Sequence, residues 1–204
     1  ADYFHCTSNN TIFGTQMKEF PDLDIPMVCD MSSDIFSRNI DFSKFGIIYA
    51  GAQKNMGPAG TALVVVKEEI LGKNGRTIPS MLDYAKHIKA ESMYNTPPVF
   101  PVYASLLTLQ WLKNLGGIPA IEKINNAKAD LLYTEIDRNP LFKGTAVVED
   151  RSTMNATFLL DTPLHTDTFN AMLKEAGVVG LPGHRSVGGY RASIYNAMPL
   201  ESVQ

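Results

Sequence analysis

The chain has 204 residues, 45% of them hydrophobic and 19% charged, a composition that folds and is far from a disordered one. Eighteen basic against twenty-one acidic residues leave a net charge of −3, without the basic stripe that a nucleic-acid binder needs. The longest apolar runs, such as 61–66, fall far short of the roughly 20 residues of a membrane span, so neither nucleic acid nor a membrane is an expected partner.

The chain opens on Ala1-Asp2-Tyr3-Phe4-His5-Cys6, without a Met, a basic n-region or an apolar signal core. It closes just after Pro199-Leu200-Glu201-Ser202, a string able to open another helix. Truncation at both ends is the expectation. Cys6 and Cys29 are too few and too far apart for a disulfide framework or a C-x-x-C metal pair, and they read as reduced, buried thiols of a cytoplasmic protein.

In chain order, short apolar runs predict strands at 3–6, 26–29, 46–50 and 61–66. The first three are followed by turns: Ser8-Asn9-Asn10-Thr11, Asp30-Met31-Ser32-Ser33, and 51–60 with its glycines. Runs and helical periods alternate, which is the pattern of an α/β sheet, and such turns are where α/β enzymes hold their chemistry. Tyr103, Leu106, Leu107, Gln110 and Trp111 then repeat at helical spacing, stopped by Gly116-Gly117. Pro119 opens a second amphipathic helix along Ile121, Ile124, Ala127, Leu131, Leu132 and Ile136. A boundary falls at Gly116-Gly117, dividing the chain into 1–116 and 117–204. The second part reads as a small α+β unit: a strand near 156–160, a helix near 166–176 ended by Gly177, and strands near 178–181 and 191–196.

Lys54 lies just past an apolar strand, in a turn of small residues from Gly51 to Gly60. A lysine that must form an imine with a bulky aldehyde needs such a fixed, uncrowded backbone. Taken alone, a surface lysine in a loop explains it as well. Asp30 ends a strand 24 residues earlier and suits the same crevice, where an acid can partner a pyridine nitrogen; it equally suits a turn or a helix cap.

The whole string goes further. Val28-Cys29-Asp30-Met31-Ser32-Ser33, Ser37-Arg38-Asn39-Ile40-Asp41, Phe45 through Gly60, Tyr94-Asn95-Thr96-Pro97-Pro98, Gly183-His184-Arg185 and Gly188 through Pro199 closely resemble the phosphoserine aminotransferase family. The resemblance implies a large domain of a fold-type I transferase dependent on pyridoxal 5′-phosphate (PLP), present in its C-terminal part over 1–116, then a small C-terminal domain over 117–204. It implies transamination between phosphoserine and 2-oxoglutarate in serine biosynthesis, giving 3-phosphohydroxypyruvate and glutamate, by a homodimer. By the same likeness Lys54 carries the cofactor, Asp30 holds its pyridine nitrogen, and Thr11 and Gln53 contact it. Asn95 and Thr96 then reach the cofactor phosphate of the other subunit, Arg191 takes the substrate α-carboxylate, and His184 and Arg185 take the distal anion. No metal is implied. The likeness begins inside the family's sequence, so the isolated chain is expected to be inactive. Another fold-type I PLP enzyme, such as a cysteine desulfurase or a different aminotransferase, would share Asp30 and Lys54 but not the 183–199 string; a non-catalytic fragment is the third reading.

Overall fold

A computed structural model describes residues 1–73 and 75–204. Four strands form the first sheet: β1 (Phe4–Thr7), β4 (Met27–Asp30), β5 (Ile47–Gly51) and β6 (Ala62–Val66), in the order β1-β4-β5-β6. The first three run parallel, and β6 returns antiparallel to β5. All four expected strands are present, shifted by about a residue. One face of the parallel part is core: Cys6, Met27, Cys29, Ile48 and Ala50 pack with Phe20, Met31, Ile35 and Phe45. The other face carries His5 and Thr7, Val28 and Asp30, and Ile47 and Tyr49 side by side through the strand register.

Between β1 and β4 a hairpin of β2 (Asn9–Asn10) and β3 (Thr15–Gln16) projects from the sheet. Its strands are too short to leave a period in the sequence. The short helix α1 (Tyr84–Lys89), N-capped by Asp83 Oδ1 on the Ala85 N–H at 3.1 Å, was likewise not expected.

Helix α2 (Val99–Asn114) and helix α3 (Gly117–Arg138) meet at Gly116-Gly117 as expected, both glycines having positive φ. Their buried faces differ from the expected ones. Along α2 the stripe Tyr103, Leu106, Leu107, Gln110 and Trp111 points outward, and Ser105 and Leu112 are the buried residues. Small side chains face the sheet because the 51–60 turn lies tight against the helix: a Cβ on Gly57 would meet Ser105 Oγ at 2.8 Å and the Ser105 backbone at 3.2 Å. Along α3 the buried line is Ile121, Asn125, Lys128, Ala129, Tyr133 and Ile136, whereas Ala127 and Leu131 are exposed. Two polar side chains occupy core positions there, so a reading by apolar period alone rotates the helix.

Lys128 is fully buried. Its ammonium donates to the backbone carbonyls of Ile194, Tyr195 and Met198 at 2.9, 2.9 and 3.0 Å, which satisfies its donors and spares the cost of an unbonded buried charge.

The second sheet is antiparallel, with β7 (Phe142–Gly144), β8 (Asn155–Leu160) and β9 (Tyr190–Ser193) in that order. Phe142, Phe158 and Tyr190 pack on one another and on Phe169 of helix α4 (Thr166–Glu175), with ring centroids 4.9–5.5 Å apart. The expected strand at 178–181 is absent. Gly177 and Gly180 adopt positive φ on either side of exposed Val178 and Val179, breaking an extended run, and an isolated bridge from Pro182 to Tyr190 takes the strand's place. Pro199 leads into a 3-10 turn over Leu200–Ser202.

Two stability measurements follow from this packing. Burial lowers the pKa of Lys128 to about 8, against roughly 10.4 in an unfolded chain. Below about 8 both states hold the proton and the desolvation cost is fully present; between the two values the unfolded state binds more protons, so folding stability rises with pH. In urea melts, wild type should gain about 2–3 kcal/mol on Lys128→Met between pH 7 and pH 10.5, and parallel curves would contradict it. Gly57→Ala should lower stability by about 1–3 kcal/mol through displacement of α2, read from the urea midpoint.

Candidate active site

The catalytic candidates gather where the parallel strands end. Asp30 is the last residue of β4, in register with Thr7 and Tyr49. Its Oδ1 accepts the Ser32 N–H at 2.8 Å, which orients the carboxylate as the chain turns. It is half-buried and makes no ion pair among the described residues. Tyr49, beside it on β5, accepts or donates a hydrogen bond with His5 Nε2 at 3.0 Å. Burial, and then the Asp30 charge, raise the Tyr49 phenol above its ordinary pKa.

The turn after β5 carries Gln53 and Lys54. Ser32 Oγ accepts the Gly51 N–H at 3.1 Å, tying this turn to the one after Asp30. Asn55 is buried and donates to Ile35 O at 3.0 Å, while its Oδ1 accepts the Asn196 N–H at 3.0 Å. With Gly57 pressed on α2, the turn is anchored from several sides, as a reactive side chain requires.

Lys54 Nζ donates to Thr11 Oγ1 at 2.7 Å. The hairpin presents Thr11: Asn10 Oδ1 accepts the N–H groups of Ile12 and Phe13 at 3.0 and 3.1 Å, and Gly14 N–H closes onto Asn10 O at 2.9 Å. The Tyr195 ring lies on another side of Lys54, its centroid 5.9 Å from Nζ. Lys54 also makes no ion pair among the described residues.

Arg191 sits in β9 opposite Thr157. Its Nε is buried without a hydrogen-bond partner, and it lines a cavity of about 120 Å³ with Ile12, Phe13, Thr157, Gly183 and Gly188. That cavity joins the hairpin carrying Thr11 to the 183–188 turn. His184 and Arg185 are exposed on that turn, His184 Nδ1 lying 2.7 Å from Ser186 Oγ.

The structure thus brings together Lys54 and Thr11, and borders Arg191 on the same hairpin. It does not bring Asn95 and Thr96 to Lys54. Both are exposed ahead of α2, and Asn95 lines a separate cleft of about 470 Å³ with Gly60, Thr61, Tyr84 and His87. Gln53 is exposed, its amide folded over Gly51. Sequence reasoning missed Tyr195, Asn55 and Asn155. Their signal, polar or aromatic residues at buried positions of a strand exit, needs the fold to be read.

These side chains suit PLP at two of its ends. A carboxylate at the end of β4 with no ion-pair partner among the described residues fits a protonated ring nitrogen, and an amine held by a hydroxyl and free of carboxylates fits an aldehyde.

The model of the aminotransferase class-V family matches residues 1–204. A phosphoserine aminotransferase of Flavobacterium johnsoniae is 82% identical over 204 residues, which are 100% of this chain and 57% of that protein. Among solved structures, a phosphoserine aminotransferase studied for radiation damage of its Schiff base superposes with a TM-score of 0.94 at 51% identity, over 98% of this chain and 56% of that one. A PLP-bound phosphoserine aminotransferase from Trichomonas vaginalis gives 0.92 at 37% identity, over 98% and 58%. The chain therefore spans little more than half the length of the proteins it matches.

Proposed function

The chain belongs to the aminotransferase class-V family, and on that premise we propose that it is the C-terminal part of a PLP-dependent phosphoserine aminotransferase. The observation that carries the reading is the pairing of an anchored, carboxylate-free Lys54 on Thr11 with a lone carboxylate, Asp30, at the neighbouring strand end. The likeness to a phosphoserine aminotransferase at 82% identity supports the substrates, phosphoserine and 2-oxoglutarate, with glutamate as product. The proposal assigns 1–116 to the cofactor-binding domain and 117–204 to the small domain.

In this reading Lys54 would hold the cofactor covalently, Asp30 would partner its ring nitrogen, and Thr11 and Gln53 would contact it. Asn95 and Thr96 reach the cofactor of a second subunit, which suits their place away from Lys54. The bound cofactor supplies an electron sink for the carbanion formed at the substrate Cα. Once displaced by the substrate amine, Lys54 Nζ would be free to take the Cα proton as general base and give it back as general acid. Arg191, whose Nε lacks a partner, offers its planar fork to the α-carboxylate. His184 and Arg185 on their exposed turn meet the phosphate.

The homodimer is supported by the apolar stripe of α2, whose first residues Val99 and Phe100 are each 71% exposed. A cytoplasmic location is supported by two free, buried thiols. The 204 residues alone are proposed to be inactive, because the face of the sheet bearing His5 and Asp30 is only partly covered.

The full-length protein with PLP should show the visible band of a lysine-bound cofactor, fixed to Lys54 by borohydride and lost in Lys54→Ala; a band retained in that variant would sink the reading. Replacing His184 or Arg185 by Ala should lower kcat/KM for phosphoserine by about 10- to 100-fold and leave that for alanine within about twofold. Equal losses on both donors would remove the phosphate role.

A further inference from the structure

Lys54 Nζ has two neighbours of distinct kinds. Thr11 Oγ1 accepts its hydrogen bond at 2.7 Å, and the Tyr195 ring centroid lies 5.9 Å away. A hydroxyl can bond an amine in either protonation state. A ring face attracts the ammonium and does little for the neutral amine, because only the cation interacts with the ring quadrupole within about 6 Å.

Tyr195 is fixed to a degree that a bystander ring does not need. Its hydroxyl accepts from Asn155 Nδ2 at 3.1 Å. Its own carbonyl, with those of Ile194 and Met198, is gripped by the buried Lys128 ammonium at 2.9–3.0 Å. Asn196 beside it donates its backbone N–H to Asn55 Oδ1 at 3.0 Å and its Nδ2 to Phe36 O at 2.9 Å. Asn55 is the residue after Lys54, so one set of bonds locates both the amine and the ring. Ionisable groups on the elements around this seat include the Tyr195 phenol, Lys128 on α3, Arg191 on β9, Asp30 at the end of β4, and Tyr49 within β5 with its partner His5 on β1.

We propose that Tyr195 is a positioning residue for the proton transfer, its ring favouring the protonated state of Lys54. The inference rests on the reading of Lys54 as the catalytic amine. In the forward step the substrate Cα–H bond breaks, its electron pair stays with the carbon, for which a bound cofactor would supply the sink, and a new N–H bond forms on Nζ. The amine becomes an ammonium in that step, so an interaction specific to the cation strengthens as the proton arrives. On the return the ammonium gives the proton back and the interaction fades. Thr11 keeps Nζ in place in both states, and Tyr195 biases which state is preferred.

The test uses the full-length protein with Tyr195→Phe, Tyr195→Leu, and fluorinated phenylalanines placed at 195, which weaken the ring's negative face with almost no change of shape. In the cofactor-free protein at a single pH, acetic anhydride, which reacts with the neutral amine, should label Lys54 about 2- to 30-fold faster in Tyr195→Leu than in wild type, with Tyr195→Phe, which keeps the ring but loses the Asn155 bond, in between. In the holoenzyme, Tyr195→Leu should lose about 2- to 30-fold in kcat with KM little changed, and its isotope effect with Cα-deuterated phosphoserine should grow. The fluorinated series should fall progressively between the two, which keeps the test valid if Tyr195→Leu does not fold. Labelling rates that coincide, a flat fluorination series, or a Tyr195→Phe loss as large as that of Tyr195→Leu would overturn the proposal. A visible band surviving in Lys54→Ala would instead refute the reading on which it rests.

Discussion

Asn55 and Asn196 stand 141 positions apart and meet in one buried bond, from the Asn196 N–H to Asn55 Oδ1 at 3.0 Å. Asn196 Oδ1 in turn accepts from Asn125 Nδ2 at 2.9 Å, and Asn125 also donates to Ser37 O at 3.0 Å. The three side chains are all nearly inaccessible to water. A buried amide left unpaired costs about 1–3 kcal/mol, and here only Asn125 Oδ1 of the three side chains lacks a partner among the described residues, so these bonds form only when the Lys54 turn, the 35–37 loop, α3 and the segment after β9 take their places together. The two hydrophobic cores are otherwise separate. This polar seam decides how the sheet carrying Lys54 meets the sheet carrying Arg191.

A second polar seam does the same at the hairpin. Asn9 donates to Ser33 Oγ at 2.8 Å and to Asn155 Oδ1 at 2.9 Å, and Asn155 Nδ2 goes on to Ser193 Oγ and Tyr195 OH. Low dielectric makes such networks strong when complete and costly when broken. Their directional bonds define positions that apolar contacts alone would leave adjustable, and Thr11 and Tyr195 flank Lys54 because of them.

What the sequence revealed and what it concealed divide along physical lines. The first-sheet strands were legible because short apolar runs bounded by turns are a local pattern, whereas Lys54 and Asp30 stood out as candidates through the resemblance of the strings around them, since a strand-end lysine or aspartate suits a loop or a cap as well. Helix α3 existed as expected, but its orientation did not follow, since Asn125 and Lys128 are buried by long-range partners that no local period encodes. Helix α2 misled in the opposite way: its most apolar stripe is exposed, and Ser105 faces inward because Gly57 demands a close approach. The 178–181 segment was apolar enough for a strand, yet two positive-φ glycines stop it from extending. Tyr195 lay inside a string noticed for its resemblance and carried no role until its ring was found near Lys54.

The long span of these bonds also sets a sequence of events during synthesis. Asn9 must find Asn155, 146 positions later, and Asn55 must find Asn196. At about 5–20 residues per second, the Lys54 turn leaves the ribosome roughly 7–28 s before its last anchor exists. Until then its amide groups are served by water, and contacts of such separation carry a large loop-closure cost. The pocket around Lys54 is therefore among the last parts of this chain to form, and a ribosome that stops before Asn196 releases a sheet with that side chain still unseated.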